Sequence, residues 1–248
     1  STATSLTGMG TITPKTITAT LTKTTGLDKV YDGNASSALG TNYAFGTNDI
    51  VSGDTIHLTA TGNYDSQNAG DRNVTYNNLK LDNGNYQLAD TITSFTGTGK
   101  ITPKTITATL TNTTGLDKVY DGNASSVLGT NYAFGTTDIV SGDAVHLTAT
   151  GSYDSLNAGA QNVTFSGLKL DNDNYQLGVT SLTGTGKITP KTITATLTKT
   201  TGLDKIYDGN ASSALGTNYA FGATDIVSGD TVHLTATGSY DSLNAGAQ

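Results

Sequence analysis

Histidine occurs three times, at His57, His146 and His233, once in each copy of a long internal pattern. A solitary imidazole per copy has no second histidine beside it to share a metal, and the alternation around each places it on the solvated face of a strand. The three are read as surface positions without a ligand role. Asp32, Asp121 and Asp208 sit in a recurring Tyr-Asp-Gly, formed by Tyr31-Asp32-Gly33, Tyr120-Asp121-Gly122 and Tyr207-Asp208-Gly209. No base or nucleophile travels with these carboxylates, so they cap a turn rather than catalyse. Asp171-Asn172-Asp173-Asn174 is oxygen-rich, and calcium takes six to eight oxygen ligands. Asp171 and Asp173 are therefore the calcium candidates. The first copy reads Asp82-Asn83-Gly84-Asn85, which loses a ligand, and the expected cofactor is none. Asn34-Ala35-Ser36, Asn123-Ala124-Ser125 and Asn210-Ala211-Ser212 are formal glycosylation triplets that an Asn- and Ser-rich chain produces by chance. A Lys–Asn isopeptide cross-link would need a buried acid, and the sequence marks none. With no triad, carboxylate pair or metal cluster, no catalytic residue is assigned and no enzyme is expected.

The elements that position these residues are set by repetition. Ile-Thr-Pro-Lys-Thr-Ile-Thr-Ala-Thr-Leu occurs at 12–21, 101–110 and 188–197, and the Tyr-Asp-Gly tyrosines follow at 31, 120 and 207, 89 and 87 residues apart. A period that long suits one small domain per repeat rather than a solenoid coil. Thr16 to Leu21 alternates polar and apolar residues, the signal of a half-buried strand. Ile12 lies on the opposite parity to Ile17. A one-residue slip flips side chains to the other face, and Pro cannot donate to a ladder. Pro14, Pro103 and Pro190 are read as seams where the last strand of one repeat becomes the first of the next.

Within a repeat, Gly33 supplies a turn, and Tyr43 and Phe45 alternate across Ala44 as a short aromatic strand. Ile56, Leu58 and Ala60 face inward. Val74 and Tyr76 point in as well, followed by Leu79 and Leu81 out of phase. That phase change predicts a β-bulge or a short turn at Asn77-Asn78, where the second copy has Ser166-Gly167. About seven short strands result, the pattern of a small antiparallel, Ig-like β-sandwich. Swaps between copies (Val30 and Val119 to Ile206, Ile56 to Val145 and Val232, Tyr76 to Phe165) conserve volume, as core positions require.

Composition agrees. Among 248 residues there is no Glu and a single Arg, Arg72, with 30 Gly and a charged fraction of 13%. Thr, Val, Ile and Tyr favour strands, so the class is all-β. A net charge of −7 excludes nucleic acid as a partner, since phosphates need clustered Lys and Arg. No apolar run approaches the roughly 20 residues that span a membrane. Cysteine is absent, which excludes disulfides and thiol chemistry.

The ordered set Ile-Thr-Pro-Lys, Lys-Val-Tyr-Asp-Gly, Ser-Gly-Asp, Asn-Ala-Gly, Val-Thr and Asp-Asn-x-Asn-Tyr-x-Leu resembles the YDG/MBG repeat domains of large bacterial surface adhesins of the filamentous-haemagglutinin-like kind. The resemblance covers almost the whole chain and implies tandem arrays outside the cell, a stalk between an anchor and a binding tip. The expected domains are the tail of a preceding repeat over 1–14, complete repeats over 15–103 and 104–190, and a truncated repeat over 191–248. The opening Ser-Thr-Ala-Thr and the close at Gln248 are read as the ends of a piece cut from a longer array. The expected function is a rod-like structural stalk on the bacterial surface. Its partners would be neighbouring repeats and other copies in a fibre. The alternative is a multivalent module with a weak glycan or surface-ligand site per repeat. Exposed Tyr43 and Phe45 would favour that alternative, and buried ones the stalk.

Overall fold

The computed structural model describes residues 7–247, and these contain strands and turns without a helix. The first repeat holds β1 (Lys15–Ile17), β2 (Ala19–Leu21), β3 (Lys29–Val30), β4 (Ser36–Ser37), β5 (Tyr43–Phe45), β6 (Leu58–Tyr64), β7 (Gly70–Leu81), β8 (Tyr86–Leu88) and β9 (Phe95–Thr102). These nine replace the seven expected. One reason lies at Thr18, which divides the Thr-rich run: its N–H and hydroxyl both donate to Asp49 Oδ2, at 2.7 and 2.8 Å, instead of joining a ladder. The other is that β3 and β4 are two-residue pieces flanking the Tyr-Asp-Gly turn.

A five-stranded sheet runs β3-β9-β7-β6-β4, and two small sheets pair β1 with β8 and β2 with β5. The antiparallel expectation is corrected at two places, since β1 pairs β8 and β3 pairs β9 in parallel. In each case most of the repeat lies between the two strands, which gives the long crossover that parallel neighbours require. Burial follows the alternation read from the sequence, but the core reading of Val30, Val119 and Ile206 is corrected, since all three are exposed. Ile56, Leu58, Tyr64, Val74, Tyr76 and Ile101 are buried, and Val74, Tyr76 and Ile101 are wholly so. The bulge is present: the β6–β7 register shifts between Thr59 and Thr61, with Asn78 at φ 54° and its counterpart Gly167 at φ 61°.

The second repeat repeats this order as β10 (Lys104–Ile106), β11 (Ala108–Thr109), β12 (Lys118–Val119), β13 (Ser125–Ser126), β14 (Ala133–Phe134), β15 (Leu147–Tyr153), β16 (Gly159–Leu170), β17 (Tyr175–Leu177) and β18 (Leu182–Thr189). The third shows β19 (Ala195–Leu197), β20 (Ser212–Ala214), β21 (Tyr219–Phe221) and β22 (Thr237–Ser239). Pro103 separates β9 from β10, and Ile101 and Ile106 on either side are both buried. Pro190 follows β18 and Pro14 precedes β1. Of the tail read over 1–14, residues 1–6 lie outside the described residues. Residues 7–14 form no strand, and Met9 and Ile12 are exposed.

The chain divides into two compact units. One comprises Ser1–Thr109, Ala133–Thr148 and Lys169–Thr180, and the other Leu110–Tyr132, Ala149–Leu168 and Ser181–Gln248. The first unit therefore joins the whole first repeat to the β10–β17 and β11–β14 sheets of the second. Its core cluster includes Tyr31, Leu58, Tyr64, Val74, Tyr76 and Ile101 together with Ile106 and Tyr175. In the second unit, residues of the third repeat are more exposed than their counterparts: Leu203 at 40% against 6% for Leu27, and Tyr207 at 62% against 3% for Tyr31.

One backbone crossing fixes the arrangement. The Leu27-Asp28 segment lies over β9, with Leu27 N–H donating to Thr98 O at 3.2 Å and Lys100 N–H to Asp28 Oδ1 at 2.7 Å. A Cβ at Gly99 would fall inside the Leu27 carbonyl, and the same holds for Gly186 and Leu116. Gly99→Ala is expected to cost about 2–4 kcal/mol, because backbone rather than a pliable side chain must shift. Gly84→Ala, where nothing lies within 4 Å, should stay within about 0.5 kcal/mol of the parent. Urea unfolding of both measures it, and a Gly99→Ala chain as stable as the parent would remove the crossing.

Candidate functional site

The Tyr-Asp-Gly turn is built around a lysine. Lys29 Nζ lies 2.6 Å from Asp32 Oδ1 and donates to Asn34 O, Asn34 Oδ1 and Ser36 O at 2.9, 3.0 and 3.3 Å. The Tyr64 ring centroid is 5.7 Å from the same nitrogen, in reach of a cation–π contact. Asn34 Oδ1 also accepts from Ser36 N–H at 2.9 Å, and Asn34 N–H donates to Asp32 Oδ1 at 3.1 Å. Gly33 stands at φ 81°, where an L side chain is strained. Lys118 and Lys205 rebuild the knot with Asp121, Asn123 and Asp208, Asn210. Sequence reasoning passed over these lysines, although each stands two residues before its tyrosine.

The knot also bears on the isopeptide question, because lysine, asparagine and an acid do meet here. The charges are wrong for it. The Lys118 hydrogen bond holds the Asp121 carboxyl below the usual carboxylate range, and Lys205 does the same for Asp208. An ammonium ringed by oxygens beside an ionised acid has no free lone pair to attack an amide. The glycosylation triplets fall in this knot, where Asn34, Asn123 and Asn210 each bond a lysine and a serine.

The tyrosine points out of the knot into the following repeat. Within the first compact unit, Tyr31 OH donates to Asp143 Oδ2 at 2.8 Å. Tyr175 OH donates to the same oxygen at 2.6 Å and accepts from Val140 N–H at 2.9 Å. The Tyr31 and Tyr175 rings meet edge to face, with centroids 5.5 Å apart. Val140 closes over the turn so tightly that a Cβ on Gly33 would lie 2.6 Å from its Cγ1. Asn174 adds two bonds, accepting from Ala69 N–H at 2.8 Å and donating to Asn68 Oδ1 at 3.2 Å. Tyr31 is left 3% exposed. The second unit repeats the contact, with Tyr120 OH donating to Asp230 Oδ1 at 3.2 Å and Val227 placed against Gly122 as Val140 is against Gly33. A plug from one repeat thus enters a socket on the next, and the socket residues come from Ser-Gly-Asp and Asn-Tyr.

The other candidates are positioned differently. His57 and His146 are exposed, but each has a partner: Nδ1 lies 2.7 Å from Asp82 Oδ2 and 2.6 Å from Asp171 Oδ2, and the same carboxylates accept the histidine N–H. Asp171, one of the two calcium candidates, is thereby bound to His146. Asn172 Oδ1 accepts from Asn174 N–H at 3.0 Å, and Asp173 is exposed. Among the described residues no three His, Cys, Asp or Glu side chains group as metal ligands would. Tyr43 and Phe45 are half-buried, pack edge to face at 5.4 Å and lean on the core, and Tyr43 OH accepts from Leu58 N–H.

These features define a class: all-β repeats in tandem, with the signature turns of the first and second inserted into the repeat that follows. The chain belongs to the YDG domain family, whose model matches residues 13–94, 102–184 and 189–248. Neither a curated protein nor a solved structure gives a significant match.

Burial, and then the bond to Asp143, push the Tyr31 phenol up to about 12. Tyr175 is raised by the same two causes, and Tyr120 is raised by its bond to Asp230 and then by burial. An unfolded tyrosine titrates near about 10. The folded state therefore holds its protons longer, and the stabilisation is complete below about pH 10 and lost as pH rises towards about 12. Denaturant midpoints should fall through that window, and Tyr31→Phe should be less stable at neutral pH but fall less steeply. An unchanged slope in Tyr31→Phe would disconnect the joint from the alkaline transition.

Proposed function

We propose that the chain is a structural segment of a bacterial extracellular adhesin or surface filament, a stalk whose repeats are small β-sandwiches in an elongated rod. The observation that carries this reading is the joint built twice, Tyr31 to Asp143 and Tyr120 to Asp230. The residues that define the family are engaged in coupling one repeat to the next. A stalk needs that, because load or distance is transmitted only if consecutive modules are held in one orientation. The seam supports the same reading, since Thr102 ends β9 and Lys104 begins β10 with only Pro103 between, too little for a flexible linker. The principal partners are then neighbouring repeats of the same array, and no catalysis is assigned to it. The Tyr43–Phe45 pair is half-buried and its rings meet edge to face, so it favours neither the stalk nor a glycan platform on each repeat.

Small-angle scattering on chains of two, three and four whole repeats tests the rod. Each added repeat should lengthen the maximum dimension by roughly 30–45 Å, the compact size of a domain of this length. A maximum dimension that hardly grows with repeat number would sink the reading.

A further inference from the structure

One turn carries a chemistry that neither the joints nor the lysine knots use. Asn83-Gly84 is the only Asn-Gly pair in the 248 residues, and it links β7 to β8. Asn83 O accepts from Tyr86 N–H at 3.2 Å, which closes a tight turn, and Asn83 Oδ1 accepts from Asn85 N–H at 3.0 Å. The second bond folds the Asn83 amide back along the chain past the Gly84 peptide and draws electrons from Cγ. Gly84 is exposed, its N–H has no acceptor among the described residues, and nothing lies within 4 Å of a Cβ built on it. Its nitrogen is therefore open to bases in solution, with no side chain of its own to crowd Cγ.

The second repeat supplies the contrast. Asn172-Asp173 makes the same turn, with Asn172 O accepting from Tyr175 N–H at 3.1 Å and Asn172 Oδ1 from Asn174 N–H at 3.0 Å. The residue after the asparagine is Asp there, whose side chain crowds the peptide nitrogen and repels its deprotonated form. The Asn172 amide is also tied to Ala144 O at 3.3 Å. The three Asp-Gly pairs differ for another reason. Asp32, Asp121 and Asp208 hold lysine ammonium groups at 2.6, 2.6 and 2.8 Å, and an ionised carboxylate offers no leaving group.

We propose that Asn83 is a self-modification site, converted through Gly84 and water to aspartate and isoaspartate, and that the isoaspartate loosens the β1–β8 pair. The Gly84 nitrogen, its proton taken by hydroxide or a buffer base, attacks Asn83 Cγ. A C–N bond forms there, the bond from Cγ to the side-chain nitrogen breaks, and ammonia leaves with a proton returned to it. The resulting succinimide takes up one water. Opening at Cγ gives aspartate, and opening at the main-chain carbonyl gives isoaspartate, whose chain runs on through Cβ and Cγ. Nothing is oxidised or reduced. Isoaspartate thus adds an atom to the main chain close to where Asn85 O accepts from Lys15 N–H at 2.8 Å, at the start of the β1–β8 register. Aspartate keeps the main chain and an oxygen for Asn85 N–H, so the turn stays closed.

Peptide mapping of the whole folded chain, held at mildly alkaline pH and sampled over weeks, tests it. Two products of equal mass, aspartate and isoaspartate, should accumulate at position 83 well ahead of any change at Asn172. Gly84→Ala, which the open surroundings admit, should lose most of the conversion. The folded chain should convert at a rate comparable to the chain unfolded in guanidinium chloride. In the separated isoaspartate fraction the Lys15 amide should exchange its hydrogen faster than in the parent, whereas Asn83→Asp should match the parent. An unchanged Asn83, conversion no faster than at Asn172, or aspartate as the sole product overturns the proposal. So does a folded turn that protects Asn83 relative to the unfolded chain, or a Gly84→Ala chain that converts like the parent. An isoaspartate fraction with parental exchange at Lys15 overturns the loosening. Each of these failures leaves the stalk reading standing, since that rests on Tyr31 and Tyr120 and not on this turn.

Discussion

The hydroxyl of Tyr31 lies deep in a socket where its proton has one acceptor, Asp143, shared with Tyr175. A buried phenol left without an acceptor costs about 1–3 kcal/mol, so the tyrosine fits only where the next repeat presents that carboxylate in register. Most of the surrounding structure serves this requirement. The lysine knot sets the turn, the parallel β3–β9 pairing carries Val30 along Thr102, and Tyr31 N–H then donates to Thr102 O at 2.9 Å. The seam proline follows at once, so the strand that anchors the plug leads directly into the repeat that carries the socket.

This constraint accounts for the near-identity of the copies. Each repeat must be a plug on one side and a socket on the other, and a change at either surface affects a neighbour as well as itself. Freedom remains in the core and even beside the joint, where Asn68 and Ala69 bond Asn174. Arg72 bonds Asn68 O and Ala69 O in the first repeat, and Gln161 takes part of that role in the second, where it donates to Asn157 O. Tyr76 and Phe165 are both fully buried, although only Tyr76 has a hydroxyl to bond Ala38 O. A core position can lose a peripheral bond if ring volume is kept.

Much of the fold was legible in the sequence because it is local. Alternation marked β6 and β7, the phase change at Asn77-Asn78 marked the bulge, and Tyr-Asp-Gly marked a turn with positive φ. The parallel pairings were not legible, since β1 meets β8 and β3 meets β9 across most of a repeat and their short, half-polar runs carry no sign of their partners. The site was half legible. Tyr31 and Gly33 stood out by recurrence, but the acceptor for Tyr31 lies 112 residues away. The available clue was that Tyr-Asp-Gly, Ser-Gly-Asp and Asn-Tyr occur together in the first two repeats, as a plug and its matching socket would. The lysines were missed because an exposed Lys beside an Asp reads as ordinary surface charge, and only the folded turn shows how many oxygens converge on one ammonium.

The central claim is that Tyr31 and Asp143 are energetically coupled across consecutive repeats, and a double-mutant cycle measures it most directly. Tyr31→Phe, Asp143→Ala and the double variant would be compared with the parent by urea unfolding. The joint predicts that the losses fail to add, with a coupling of about 1 kcal/mol or more for a hydrogen bond to a charged acceptor. Losses that add within about 0.3–0.5 kcal/mol, as they do for distant independent sites, would contradict it.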